Sequence, residues 1–280
     1  MRALEKGAFQ THMPRVTMID YARLDAIVRE AGRIAMNSWP GAGNTVRSWE
    51  KSKGDPVCEA DLEVDTFLRR ELGALLPSAG WLSEETADAA DRLTDRLVWV
   101  VDPIDGTRDF IRGRTGWAVS VALVSAGRPL IGILSAPARE ETWTAVAGRG
   151  AWRNGTKLAA STRKGLPGAR VPTDSLPKVD RDLSMVDKPN SIALRIAMVG
   201  SDEADLVATL RWGFEWDVGA ATLIAREAGA AVSDAFGNTL DFNKRDPRAF
   251  GVIACAPAIH TAAIERLAGR AAKIGGDKDL

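Results

Sequence analysis

The stretch LVWVVDPIDGTRDF, residues 97–110, sets two aspartates three positions apart behind a run of β-branched and aromatic residues, with a proline between them and a glycine after. LVWVV (97–101) reads as a buried strand. A carboxylate at the end of such a strand is costly to bury without a partner, so the reason for Asp102 and Asp105 decides how the chain is read. Taken alone, the two aspartates are turn punctuation, because Asp, Pro and Gly commonly follow a strand. Two further acidic clusters shift the balance. SEET (83–86) puts Glu84 and Glu85 side by side ahead of the strand, and EWDVGAA (215–221) puts Asp217 at the mouth of a helix. Singly these are solvated loop charges or an N-cap. Three acidic clusters at the ends of elements point to a cation site.

The chemistry accounts for the spacing. Hard cations such as Mg²⁺ take several oxygen ligands in a near-octahedral array. Asp102 and Asp105 can turn inward together with the Ile104 carbonyl between them, while Pro103 stiffens the turn and removes one N–H that would need a partner. A bound dication then offsets the cost of burying the carboxylates. Gly106 and Thr107 open the next segment, where a small residue and free amides let a phosphate oxygen approach. Two other motifs fail. The phosphatases of the haloacid-dehalogenase type need D-x-D-G-T, and here Pro103 and Ile104 separate the aspartates by two residues. The aspartic-protease order D-T-G is absent, and D-G-T has no second copy.

Outward from this block, Ile27, Val28, Ala31, Ile34 and Ala35 recur at helical spacing between Asp20 and about Trp39. Residues 61–76 repeat the signal, opened by Asp61 as an N-cap and closed by Pro77. WAVSVALV (117–124), PLIGILSA (129–136) and ETWTAVA (141–147) are strands, and the SAGRP turn makes an antiparallel meander of them. Residues 161–190 carry four prolines and little apolar periodicity, which reads as an irregular linker. Beyond it come a helix near 191–200, another from Asp217 to about Ala228, strands AAVSD and FGVIACA around a GN turn, and a last helix from about Ala258. GRGAWRNG (148–155) reads as turns, since no helix follows it. The nine scattered tryptophans read as core packing. The class is α+β, with an N-terminal lobe over 18–160, a C-terminal lobe over 191–280 and a flexible extension over 1–17.

Lysine plus arginine equals aspartate plus glutamate, 37 each, so no global field favours a nucleic-acid polymer or an acidic membrane. Cys58 and Cys255 lie far apart in no metal-ligand spacing and read as buried thiols of a reducing compartment. No apolar run reaches the length of a membrane span, and the N-terminus lacks the apolar core of a secretion signal; the expectation is a cytoplasmic protein.

WVVDPIDGTRDF, LSEET and EWDVGAATLIAREAGA together resemble the three signature blocks of the inositol monophosphatase family, the Mg²⁺-dependent, lithium-sensitive phosphomonoesterases, over about residues 18–270. The resemblance implies a layered αβαβα sandwich of the inositol monophosphatase and fructose-1,6-bisphosphatase type. It implies two or three Mg²⁺ held by Glu84, Asp102, the Ile104 carbonyl, Asp105 and Asp217, with Asp102 bridging. In KGDPVCEADLEVD (53–65), Asp61 matches the aspartate that pairs with the threonine of D-G-T, here Thr107, to position and activate water, and Glu85 supports that shell. Water then attacks phosphorus without a covalent enzyme intermediate. Glu84, Ile104, Asp105, Gly106, Thr107, Arg195 and Asp217 are the expected substrate contacts.

The leaving group is read elsewhere. Inositol-specific members carry a glutamate before the W-D block, where ADLVATLRWGF (204–214) has Thr209 or Leu210. LSEE, ILSAPA and SIALRIA, with Arg195, look more like the bacterial 3′(2′),5′-bisphosphate nucleotidases. In that reading Arg195 binds a second phosphate, with Arg211 a weaker candidate, and the alternative for Arg195 is a surface helix arginine. The substrate is expected to be a small phosphorylated metabolite, 3′-phosphoadenosine 5′-phosphate ahead of inositol 1-phosphate, fructose 1,6-bisphosphate or histidinol phosphate. A silent metal- or phosphate-binding regulator is the non-enzyme alternative. The interlobe segment is shorter than the family usually shows, so a helix commonly found there and often used near the subunit interface is expected to be missing or reduced, which puts a homodimer in doubt.

Overall fold

The structure, a computed structural model, describes residues 19–52 and 54–275; the expected N-terminal extension lies outside the described residues. Helix α1 (Tyr21–Met36) starts where the Asp20 carboxylate accepts the Arg23 N–H at 3.0 Å, and buries Leu24, Ile27, Val28, Ala31 and Ala35 on one stripe. A hairpin of β1 (Ser48–Ser52) and β2 (Asp55–Cys58) leads into α2 (Glu59–Leu75), whose Val64, Leu68 and Leu72 are buried. Asp61 is therefore not the N-cap of this helix. Cys58 holds that position and Asp61 stands three residues inside, where its carboxylate reaches back to the Cys58 N–H at 2.8 Å. Aspartate suits an N-cap and, by its charge, the whole first turn, so sequence alone did not separate the two positions.

The main sheet runs β3 (Gly80–Ser83), β4 (Val98–Asp105), β5 (Ala118–Ser125), β6 (Arg128–Ala136), β7 (Glu141–Val146), β8 (Gly150–Arg153) and β9 (Thr156–Lys157) in spatial order. From β4 onward it is the expected antiparallel meander. The strand β3 was not foreseen; it pairs parallel with β4 and is too short to show a period. A one-turn helix α3 (Thr107–Ile111) separates β4 from β5. Side chains alternate across the sheet: Trp99, Val101, Val121, Leu123, Ile131 and Ile133 meet α1 and α2. Val98, Val100, Ala122 and Leu134 face the other way, onto α4 (Ile192–Gly200) and α5 (Glu215–Glu227).

A second sheet has the order β12 (Leu206–Phe214), β14 (Arg248–Cys255), β13 (Ala231–Ser233). Its Val252 and Ala254 close the far side of the α4/α5 layer, while Ile253 and Cys255 pack on Ile259, Ala263 and Leu267 at and within α6 (His260–Gly275). The layers are thus α1/α2, large sheet, α4/α5, small sheet, α6, which is the αβαβα sandwich. Gly132 on β6 permits the close approach of α5, since a Cβ there would lie 2.7 Å from the Ala220 carbonyl oxygen. Residues 161–190 hold a short parallel pair, β10 (Arg170–Pro172) and β11 (Ser184–Val186). They are tied to the start of β12 by the buried Asp205 carboxylate, which accepts from the Arg170 backbone N–H (2.8 Å), Arg170 Nε (3.0 Å) and Ser161 Oγ. No helix among the described residues is long and apolar enough to cross a membrane.

Candidate active site

The two aspartates of the opening stretch lie on the last turns of one strand rather than in a loop, because β4 continues through Asp105. Strict alternation would point side chains three apart to opposite faces. The ladder to β5 corrects this. Asp102 stands opposite Ser120 and Asp105 opposite Ala118, so three steps on β4 match two on β5, and this β-bulge turns both carboxylates to the α4/α5 face. Pro103 is tolerated at the bulge, where a ladder hydrogen bond is already lost. The Asp102 Oδ1 accepts the Ile104 N–H at 3.0 Å and fixes the bend. Gly106 then takes φ +97°, and a Cβ there would lie 2.7 Å from the Gly116 carbonyl oxygen and 2.9 Å from the Ser191 nitrogen. Only glycine fits between the two aspartates' strand and Thr107.

The other carboxylates come from two helix starts and a strand end. Asp217 is the third residue of α5, and its Oδ2 accepts the Phe214 N–H at 2.9 Å. This is the device of Asp61 repeated: C-E-A-D and F-E-W-D both place an aspartate inside the first turn, tied to the backbone three residues earlier. Glu84 follows β3 directly. One carboxylate oxygen from each of Glu84, Asp102 and Asp217 lies within 4.8 Å of the other two. Asp105 adjoins this group but spends its oxygens on the start of α4, accepting from Ser191 Oγ (2.6 Å), Ala193 N–H (2.6 Å) and Ile192 N–H (3.3 Å). The structure brings Glu84, Asp102, Ile104, Asp105, Gly106, Thr107 and Asp217 together around an open cleft of about 200 Å³.

The electrostatics of this group run in one direction. Burial and then Glu84, Asp105 and Asp217 hold the Asp102 carboxyl well above its usual range. Burial, followed by Asp105, pushes Asp217 up to about 8. Glu84 and Asp105 are raised too, chiefly by burial, against the lowering pull of Lys51 and of the α4 amides respectively. A set of hard oxygen donors that resists carrying its own charge fits a divalent cation held by oxygen ligands.

Asp61 and Thr107 also meet as expected, with Thr107 Oγ1 3.3 Å from Asp61 Oδ1 and 3.0 Å from the Ile104 carbonyl oxygen. The second Asp61 oxygen is occupied by the Cys58 N–H and thiol, both at 2.8 Å. Burial pushes Asp61 up to about 7. Glu85 is bound by Lys51, whose ammonium also lies 3.2 Å from Glu84 Oε1. Lys51 was missed because it sits on a fully exposed hairpin strand, where its sequence context matches any solvated lysine. Arg195 is half-buried on α4 and lines a separate pocket of about 370 Å³ with Arg108, Lys188, Asn190 and Arg211. Arg108, Asn190 and Arg211 line the acidic cleft as well, so the two spaces adjoin.

The profile of the inositol monophosphatase family matches residues 16–273. The chain belongs to that family. Its members are phosphatases, and the chain is accordingly a phosphoric-monoester hydrolase by class. It is 32% identical over 240 residues to inositol monophosphatase 2 of Solanum lycopersicum, covering 76% of this chain and 90% of that one. It is 31% identical over 210 residues to a 3′(2′),5′-bisphosphate nucleotidase of Aggregatibacter actinomycetemcomitans, covering 70% and 78%. Among solved structures, an IMPase of Thermotoga maritima superposes with TM-score 0.77 at 27% identity, over 91% of this chain and 99% of that chain. The fold implied by the sequence blocks is the fold observed.

Proposed function

We propose that the chain hydrolyses a small metabolite carrying two phosphate groups, a 3′(2′),5′-bisphosphate nucleotide such as 3′-phosphoadenosine 5′-phosphate, with Mg²⁺ as cofactor. One observation carries the choice. The space beside the acidic cleft is lined by Arg108, Lys188, Arg195 and Arg211, with Lys188 paired to Asp174. A monophosphate places its one phosphate group at the acidic cleft, which Arg108 and Arg211 also line, and leaves Arg195 facing neutral hydroxyls, whereas a second phosphate engages Arg195 and its neighbours through charge-assisted hydrogen bonds. Arg195 is held for this by its own helix start, donating from Nε to the Ser191 carbonyl oxygen (3.3 Å) and from Nη2 to the Asn190 carbonyl oxygen (3.1 Å).

Glu84, Asp102, the Ile104 carbonyl, Asp105 and Asp217 would hold two or three Mg²⁺. The ions would supply positive charge to the phosphoryl oxygens and acidity to water. The chain's own part is proton handling and placement. Thr107 Oγ1, turned by Gly106 toward the cleft, accepts the proton of the attacking water while donating its own to Asp61 Oδ1. Asp61, pushed up to about 7, is matched to that transfer near neutral pH. The Cys58 donors lock the other Asp61 oxygen, so Oδ1 faces Thr107. Glu85 holds Lys51 beside Glu84.

Phosphate release from 3′-phosphoadenosine 5′-phosphate, fructose 1,6-bisphosphate, inositol 1-phosphate and histidinol phosphate, with and without chelator, tests the reading. Chelator-sensitive turnover with 3′-phosphoadenosine 5′-phosphate preferred is the expected result. Preference for inositol 1-phosphate would refute the second-anion argument, and release from none of the four would leave the silent regulator.

A further inference from the structure

The basic pocket is not the end of the cleft. Lys188, Arg195 and Leu210 also line a third hollow of about 290 Å³, enclosed between residues 166–183, β12 and α6. We propose that this hollow is a subsite for an uncharged ring carried by the leaving group, so that the substrate spans three compartments: acidic, basic and apolar. The inference rests on the bisphosphate reading and extends it to the remaining part of the molecule.

The walls decide what can enter. Val171, Leu176, Leu206, Leu210, Ala263 and Leu267 present apolar surface, and Thr173, Ser175 and Asp180 add polar groups to the lining. An anion has no reason to enter such a space, and a neutral planar ring does. Two arginines also touch the hollow, but their charge is already spent. Arg266 holds Asp182 through two bonds (2.8 and 3.0 Å) and Arg270 holds Asp180 through two (2.6 and 3.1 Å). These bidentate pairs clamp the 166–183 segment against α6, which keeps the hollow open without a ligand. The Lys188 ammonium, paired with Asp174, stands at the junction with the basic pocket, where a sugar phosphate would pass.

Calorimetric titration of the Mg²⁺-loaded protein with adenosine 5′-phosphate and with ribose 5-phosphate separates the ring from the rest, because the two share phosphate and sugar. Adenosine 5′-phosphate is expected to bind at least tenfold more tightly. Leu176→Trp, which fills the hollow from the segment side, and Ala263→Met, which fills it from α6, are each expected to bring the ratio to within about twofold of unity. Ribose 5-phosphate affinity stays unchanged in both and reports that the variants are folded; should one fail to fold, the other decides. Equal affinities in the wild type, or a ratio preserved in the folded variants, would overturn the subsite. Neither titration depends on turnover, so a failure here is distinct from a failure of the phosphatase reading.

Discussion

Asp217→Asn should stabilise the protein in chelator and cripple it as an enzyme. In the metal-free fold the Asp217 carboxyl is pushed from 3.8 up to about 8, by burial first and by Asp105 second. At pH 7 the unfolded chain ionises this group while the folded chain retains its proton, and the difference weighs against folding. At about 1.36 kcal/mol per pH unit the gap between 3.8 and 7 sets a ceiling of about 4 kcal/mol, and partial exposure at the cleft brings the expected penalty to about 2–4 kcal/mol. Asparagine removes the ionisation but keeps an oxygen to accept the Phe214 N–H, so the start of α5 is retained. In chelator the variant's unfolding midpoint should therefore rise, by roughly 5–10 °C for a chain of this size. The sign also fixes the pH course: the wild type without metal loses stability as pH climbs from about 4 to about 8, and the variant loses less. Millimolar Mg²⁺ should reverse the order, raising the wild-type midpoint well above that of the variant. Thermal unfolding by circular dichroism, with and without Mg²⁺ at several pH values, reads all of this. A variant less stable than wild type in chelator, or equal Mg²⁺ shifts in both proteins, would refute the reasoning.

Thr107→Val removes the hydroxyl between Ile104 and Asp61, and phosphate release should drop about 10²–10⁴-fold while the Mg²⁺-induced rise in unfolding midpoint is kept. Arg195→Ala should raise KM for a bisphosphate nucleotide at least tenfold and leave that for inositol 1-phosphate within twofold, as steady-state kinetics would show. Gly106→Ala meets backbone on two sides at φ +97° and should cost about 2–4 kcal/mol in denaturant unfolding, with activity falling as well. Burial opposes ionisation of Asp205, but Arg170 and Ser161 outweigh it and hold the group at about 2; its contribution, of the order of 1–2 kcal/mol, is present above about pH 4 and lost as pH falls through 2. Acid titration of Asp205→Asn should accordingly show a shallower loss over that window.

What could be seen in the sequence and what could not divide along a physical line. The strand before Asp102, the helices of the first and third layers and the acidic blocks are local patterns, each carried by a few adjacent residues, and they were legible for that reason. The bulge was not. Read by period alone, Asp102 and Asp105 diverge, and they converge only because β5 offers Ser120 and Ala118 as partners, a register set by a strand that begins more than ten residues later. Strand β12 escaped for a related reason: LVATLRWGF leaves Trp212 and Phe214 exposed and shows a break in register at Thr209/Trp212, so its strand character comes from pairing with β14 some forty residues on. The offset of Asp61 was a local miss, since the side chain bonds backward to Cys58 rather than forward into the helix, and both bonds suit an aspartate. The basic pocket beside the acidic cleft was the least legible part. Arg108, Lys188, Asn190, Arg195 and Arg211 come from four separate segments; Arg195 and Arg211 stood out only through the resemblance, and Arg108 and Lys188 match any solvated charge. Phosphate chemistry needs a few oxygen donors fixed in one geometry, which local motifs can encode. Leaving-group selection needs only that a cavity wall carry the right charge, and many arrangements of distant residues meet that requirement. In the proposed reading the second phosphate and the ring are the features on which this chain is free to differ from its relatives, and the titration of adenosine 5′-phosphate against ribose 5-phosphate bears on that freedom more directly than any test of the acidic cleft.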